Sequence, residues 1–257
     1  MSTPRPAPHS GLRSVDEALA VTDDVDGWMS ADQGRRLYAA AAHCPPGGQI
    51  VEIGSFRGRS TIVLASAAPA DVTVVAIDPH AGNDRGPQEI EGYVDEAATD
   101  HDAFLANLAA AGVAGRVRHV RALSGDAHTE VTGDVDVLYV DGAHRYVPAR
   151  ADIGDWGRRV PVGGTMLIHD SFSSVGVTLA ILRELLLGGR FRYVGRSRSL
   201  AEYRAERLGP LARSGNAARQ FAQLPWFVRN LALKAALSAG LGRLLRRVGR
   251  PVPEWPY

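Results

Sequence analysis

The stretch IVEIGSFRGRST, Ile50 to Thr61, joins a run of strand-forming residues to a glycine turn and then to a helix-compatible segment, with Glu52 set inside the run. A short apolar run of this kind reads as a buried strand. Gly54 and Gly58 allow the backbone to approach a ligand closely, and a helix opening just beyond offers its first N–H groups to a carboxylate or phosphate. The spacing is not G-x-G-x-x-G, because the residue two after Gly54 is Phe56, which is too bulky for close pyrophosphate contact. A dinucleotide is therefore the weaker reading. Glu52 needs partners, since an unpaired carboxylate buried in a strand is costly. Backbone N–H groups or a ligand's amino group would serve.

Working outward, further short β-branched runs follow at 72–78, 116–122, 135–141 and 164–170, each closing on a glycine, an acid or a polar turn. Helical candidates lie between them at 58–68, 95–112, 126–131, 146–159 and 174–188. That alternation predicts a doubly wound, mostly parallel α/β sheet with helices on both faces. FRYVG (191–195) and SLAEYR (199–204) are close enough to pair as a hairpin, bringing the sheet to seven strands with an antiparallel edge. Upstream, Ser30 with Gln33 has the capping-box pattern of a helix that stops at Pro45-Pro46-Gly47-Gly48. The loop 79–94 leaves the carboxyl end of the second strand, the edge at which open α/β sheets bind ligands, and its length suits a functional loop.

At 257 residues and 45% hydrophobic composition, one sizeable core with a small appendage is expected. The domain reading is a disordered leader at 1–15, a main domain at 16–205 with an N-terminal helical segment, and a basic helical tail at 206–257. The formal net charge of +1 argues against a bulk nucleic-acid binder. It hides an asymmetry, because Arg207 to Pro253 holds nine Lys/Arg and no Asp/Glu, leaving about −8 for the rest. A single cysteine, Cys44, can form neither an internal disulfide nor a thiolate cluster, which suits a reducing cytoplasm. The leader lacks a signal-peptide core, and no run of 18 uncharged apolar residues is present.

Asp78 ends the second strand, 24 residues after Gly54, where acids in nucleoside-binding α/β folds accept from ribose hydroxyls. With it, E-I-G-S-F-R-G-R-S followed by A-I-D resembles motifs I and II of the class I S-adenosylmethionine-dependent methyltransferases, over about residues 30 to 204. LYVDGAHRYVPARADIGDWGRRVPVGGTMLIHD, 138–170, is similar to the branch holding the macrocin-type sugar O-methyltransferases. The resemblance implies that Gly54, Ser55 and Gly58 line the methionine half of the cofactor, and Glu52, from its own place at the strand end, is counted with them as an acceptor for backbone N–H groups or the ligand's amino group. Ser60 would face the cofactor's carboxylate, Asp78 its ribose, and Ser124 and Asp126 the adenine. The chain departs from the pattern at Ser55-Phe56, where many relatives carry a second glycine.

Asp141 ends the fourth strand and His169-Asp170 the fifth, so a parallel sheet would bring them out at one rim. Two carboxylates and an imidazole there could hold a hard divalent cation such as Mg²⁺, which would favour the deprotonated form of an acceptor hydroxyl. His144, three residues after Asp141, could then take the proton. The resemblance implies the same division: the D-x-x-H aspartate as metal ligand, its histidine as general base, and paired acids after strand five as further ligands. Here that pair is His169-Asp170, with histidine in place of one acid. His80, His101, His119 and His128 show no comparable grouping in the sequence.

The expected activity is methyl transfer from S-adenosylmethionine to a hydroxyl of a sugar, glycoside or polysaccharide precursor. The alternatives are an NAD(P)-dependent oxidoreductase, which Phe56 and the lack of a Tyr-x-x-x-Lys pair disfavour, and a non-catalytic membrane-associated module. Residues 212–249 have helical spacing, with Leu224, Phe227, Val228, Leu231, Leu237, Leu241, Leu244, Leu245 and Val248 on an apolar side. Such a tail can pack on the protein, form a homodimer or lie peripherally on an anionic membrane. A nucleic-acid partner is not expected.

Overall fold

The computed structural model describes residues 13–82, 99–247 and 251. Its strands form a seven-stranded sheet in the order β3-β2-β1-β4-β5-β7-β6, the arrangement of a mostly parallel sheet with an antiparallel edge. The chain divides into two compact units, residues 1–138 and 139–257, with the boundary inside β4 (Val137–Val140).

In the first unit, α1 (Val15–Ala20) and α2 (Ala31–Ala42) both begin with a complete capping box, Ser14 with Glu17 and Ser30 with Gln33. Ser14 thus serves as a helix cap where a disordered leader was expected through residue 15; residues 1–12 lie outside the described residues. β1 (Gln49–Ile53) runs parallel to β2 (Thr73–Ile77), in register from Gln49 opposite Thr73 to Ile53 opposite Ile77, and β2 runs parallel to β3 (Val117–Val120). α3 (Arg59–Ala67) is buried from Ser60 to Ala67, which suits its almost continuous apolar and small-residue composition. Arg116 closes its far end by donating to the Ala65, Ala68 and Pro69 carbonyls at 2.6, 2.5 and 2.7 Å. α4 (Asp100–Ala110) precedes β3. The segment 83–98, which includes most of the 79–94 loop and the start of the 95–112 helix, lies outside the described residues. The short helix expected at 126–131 is a single 3₁₀ turn, Ala127–Thr129.

In the second unit, the helix expected over 146–159 is broken. α5 (Tyr146–Ala151) widens into a π turn at Asp152–Trp156 and ends in a 3₁₀ turn at Gly157–Arg159. Trp156 is fully buried there, and burying a side chain of that size contributes on the order of 2–3 kcal/mol. β5 (Thr165–Ile168) is followed by α6 (Val175–Glu184), then β6 (Phe191–Ser197) and β7 (Leu200–Ala205). β7 pairs antiparallel with both β5 and β6, and a register shift interrupts β6 between Tyr193 and Gly195. The tail, read from sequence as one helical run, is three helices: α7 (Pro210–Phe221), α8 (Leu224–Ser238) and α9 (Leu241–Arg247). Gly240, at φ +96°, breaks the last two apart. From α7, Asn216 accepts from Tyr193 N at 2.7 Å and donates to Phe191 O at 3.0 Å, so a side chain supplies partners that edge strand β6 would otherwise lack. Residues 248–250 and 252–257 of the expected tail lie outside the described residues.

Candidate active site

In the first unit the chemistry gathers in the turns after β1 and β2. Gly54 and Gly58 both sit at φ +88°, and Phe56 between them at +46°. A Cβ on Gly58 would meet Phe104 at 3.2 Å, so that position needs glycine for its backbone and for its neighbour. Asp78 ties the two turns together: one carboxylate oxygen accepts from Phe56 N at 2.8 Å, the other from His80 N at 2.7 Å. A carboxylate has about four acceptor positions, so Asp78 keeps capacity for hydroxyl donors.

Glu52 is fully buried, and it accepts from the hydroxyls of Ser60 and Thr61, the latter donating at 2.5 Å. The glutamate therefore clamps β1 to the first turn of α3, and Ser60 spends its hydroxyl on it. Ser55 Oγ is buried with no hydrogen-bond partner among the described residues, in the middle of the turn. A buried orphan hydroxyl between two left-handed glycines fits a ligand that offers polar atoms there. Ser124 is half-buried and Asp126 exposed, in the turn before Ala127–Thr129.

The expectation that the remaining histidines are ungrouped is corrected for three of them. The rings of His80, His101 and His119 lie 5.0–5.4 Å apart, and Phe104 packs against His80 and His119. Both His80 ring nitrogens and His119 Nε2 are buried without a hydrogen-bond partner among the described residues. Burial, reinforced by the neighbouring His80 and His101, pushes the His119 imidazole down to about 4, and burial also lowers His80. Asp78, 3.8 Å from His80 Nδ1, opposes these effects without overcoming them.

Between the ordinary histidine value near 6.5 and about 4, the unfolded chain takes up a proton at His119 that the folded chain refuses. Stability is therefore complete above 6.5 and falls as pH drops through that window. Melting curves recorded at stepped pH should show this loss, and His119→Phe should flatten it.

In the second unit, Asp141, His144, His169 and Asp170 are brought together by the ends of β4 and β5. His169 N donates to Val140 O at 2.9 Å, fixing the end of β5 beside that of β4. His144 Nε2 lies 3.1 Å from Asp170 Oδ2, and His169 Nδ1 lies 3.1 Å from Asp141 Oδ1 and 3.8 Å from Asp170 Oδ2. The Tyr139 hydroxyl donates to Asp141 Oδ2 at 2.7 Å. Asp170 adopts φ +52°, a left-handed conformation that Asp tolerates better than most residues.

Burial alone would lower His169, yet the charge and hydrogen bond of Asp141, with Asp170 behind, push it up to about 9. Burial alone would raise Asp170, and the facing His144, His169 and Lys234 charges hold it below its ordinary value instead. Lys234 of α8 was not singled out as a site residue from sequence. Its ammonium donates to Ser173 O at 3.1 Å, three residues beyond Asp170. The loop carrying His144 is seated on the start of α6, where a Cβ on Gly176 would come within 2.1 Å of His144 O and where Ser174 Oγ donates to that carbonyl at 3.2 Å.

This arrangement does not fit the divalent cation expected at Asp141, His169 and Asp170. Among the described residues no group of three or more His, Cys, Asp or Glu side chains is disposed to hold a metal ion. Each carboxylate is turned toward an imidazole, whereas Mg²⁺ takes several convergent oxygens.

Residues 51–171 match a family model described as a methyltransferase domain. Among solved structures, the chain is similar to the O-methyltransferase NovP, with a TM-score of 0.55 and 17% identity over 69% of this chain and 81% of that one. An O-methyltransferase from Bacillus cereus in complex with SAH matches at a TM-score of 0.50 and 19% identity, over 74% and 87% of the two chains. The cofactor-bound protein Rv0187 from MTB matches at 0.50 and 21%, over 76% and 88%. The fold is thus the Rossmann-like methyltransferase fold, and residues 51–171 are the stretch over which the chain matches the methyltransferase domain family.

Proposed function

We propose that this chain is an S-adenosylmethionine-dependent O-methyltransferase acting on a hydroxyl of a sugar or glycoside, with His144 as general base. The observation that carries the reading is the His144–Asp170 pair, Nε2 to Oδ2 at 3.1 Å, in a chain whose residues 51–171 match a methyltransferase domain. The donor, when bound, supplies an electrophilic sulfonium methyl. The Ser55 hydroxyl, the Asp78 carboxylate and the N–H groups opening α3 are the groups that would hold it.

With Nε2–H donated to Asp170, His144 keeps its lone pair on Nδ1, and that nitrogen accepts the acceptor's hydroxyl proton. The oxygen–carbon bond forms as the sulfur–carbon bond breaks, and the proton stays on His144. Asp170 stabilises the resulting imidazolium, as a carboxylate does when it orients a catalytic histidine. No step runs through a metal. The sugar acceptor is supported by the likeness of residues 138–170 to the macrocin-type branch.

Transfer of labelled methyl to a panel of sugars and glycosides tests the reading. Label should enter an ether-linked product, and turnover should persist in EDTA. Stabilisation by NAD(P) with none by S-adenosylhomocysteine would overturn the assignment, and collapse in EDTA with recovery in Mg²⁺ would restore the metal to the site.

A further inference from the structure

The helix α8 half-buries Leu224, Trp226, Phe227, Leu231, Leu233 and Leu237. Its one fully buried residue is Asn230, whose Nδ2 donates to Phe172 O at 3.2 Å, and Lys234 on the same side reaches Ser173 O. Nearby, the Arg196 guanidinium lies 3.7 Å over the Trp226 ring and donates to Gln223 at 2.8 Å. Polar groups thus join the half-buried apolar side chains in fastening α8 to the protein. The opposite stripe, four and seven residues around the helix, is Val228, Ala232 and Ala235, all exposed, with Val228 at 62%. Phe221 at the end of α7 and Leu244 in α9 are also more than half exposed.

Val228, Phe221 and Leu244 leave apolar side chains of this tail in water, open to a partner that covers them. Their charge surroundings say what covers them. From Arg207 to Pro253 there are nine Lys/Arg and no Asp/Glu, and Arg229, Arg243, Arg246 and Arg247 are exposed. A second copy of the same face would set cations against cations. A nucleic acid would meet the cations and leave the aliphatic stripe in water. An anionic bilayer satisfies both features, with headgroups for the arginines and the acyl boundary for the apolar stripe. No helix among the described residues is long and apolar enough to cross a membrane, so this contact lies along the surface.

We propose that the outward face of α8, together with the exposed Phe221 of α7 and Leu244 of α9, docks the protein on a bilayer containing anionic lipid. The inference does not depend on the methyl-transfer reading. Sedimentation of the full chain with vesicles tests it, using phosphatidylcholine alone and phosphatidylcholine with roughly one-third phosphatidylglycerol. The chain should sediment with the anionic vesicles only, and added salt should release it. Val228→Glu should lower the bound fraction about tenfold, and Arg229→Glu with Arg243→Glu should do at least the same.

All three positions are exposed, so thermal melts of the variants should match the parent. Val228→Trp should strengthen binding, which a change caused by misfolding would not do. Equal sedimentation with both vesicle types, none with either, or a dimer in light scattering that Val228→Glu dissolves would overturn the proposal.

Discussion

Replacing His144 with alanine is expected to lower the rate of methyl transfer by about 10²–10⁴-fold while donor binding, read by calorimetry, is retained. The expectation follows from position. His144 lies in the second unit, one-quarter exposed in its side chain, with Nε2 3.1 Å from Asp170 Oδ2. The groups proposed to hold the donor, Ser55, Asp78 and the N–H groups opening α3, do not include His144, so its loss should appear in turnover and not in donor affinity.

His144→Gln keeps a hydrogen-bonding side chain but cannot store a proton at neutral pH, and it should be nearly as slow. Asp170→Asn should lose less, about 10–100-fold, because asparagine tolerates the left-handed backbone and still accepts from Nε2 but no longer offers charge to the imidazolium. Turnover of His144→Ala within about threefold of the parent would move the base elsewhere.

The sequence made the frame legible because the frame is set by local rules. The strand runs between glycine and proline punctuation, and the serine–glutamine capping box of α2, all depend on residues close together in the chain. The polar chemistry was legible only to the level of which strand ends carry it. Asp141 and His169-Asp170 could be assigned to neighbouring strand ends, but whether two carboxylates converge on a cation or each turns to an imidazole is decided by side-chain rotamers. The sequence holds no signal for that.

His80, His101 and His119 are spaced with no helical or strand period. They meet only because β2 and β3 are neighbours in register, with Ala76 opposite His119, and α4 lies between them in the chain. A signal was available in retrospect: two histidines near the ends of strands that a parallel order makes adjacent. The tail was legible in a different degree. Its apolar spacing suits packing, a dimer or a membrane alike, and Leu224, Phe227, Leu231 and Leu237 end half-buried, while Asn216, Gln220 and Asn230 go fully in because Tyr193, Phe191, Tyr203 and the Phe172 carbonyl offer hydrogen bonds there.

Glu52→Ala should destabilise the donor-free protein by about 3–5 kcal/mol. Two terms add. The carboxylate is fully buried and accepts from both Ser60 and Thr61, so removing it strands two buried hydroxyls, and the lost side-chain volume leaves a cavity between β1 and α3. At about 2–4 °C per kcal/mol for a chain of this size, the melting temperature should fall by on the order of 10 °C. Glu52→Gln should cost less, since one oxygen remains for one hydroxyl and the amide forces the other to turn and accept.

The same substitution separates a structural clamp from a ligand contact. A clamp acts in the donor-free protein, so the loss should be present without S-adenosylhomocysteine and should change little on adding it. A carboxylate whose purpose is to meet the donor would leave the donor-free melt nearly intact and remove only the stabilisation that the ligand brings. A melting point unchanged in the absence of ligand would therefore show that Ser60 and Thr61 do not need Glu52, and that the charge in the strand is there for the donor.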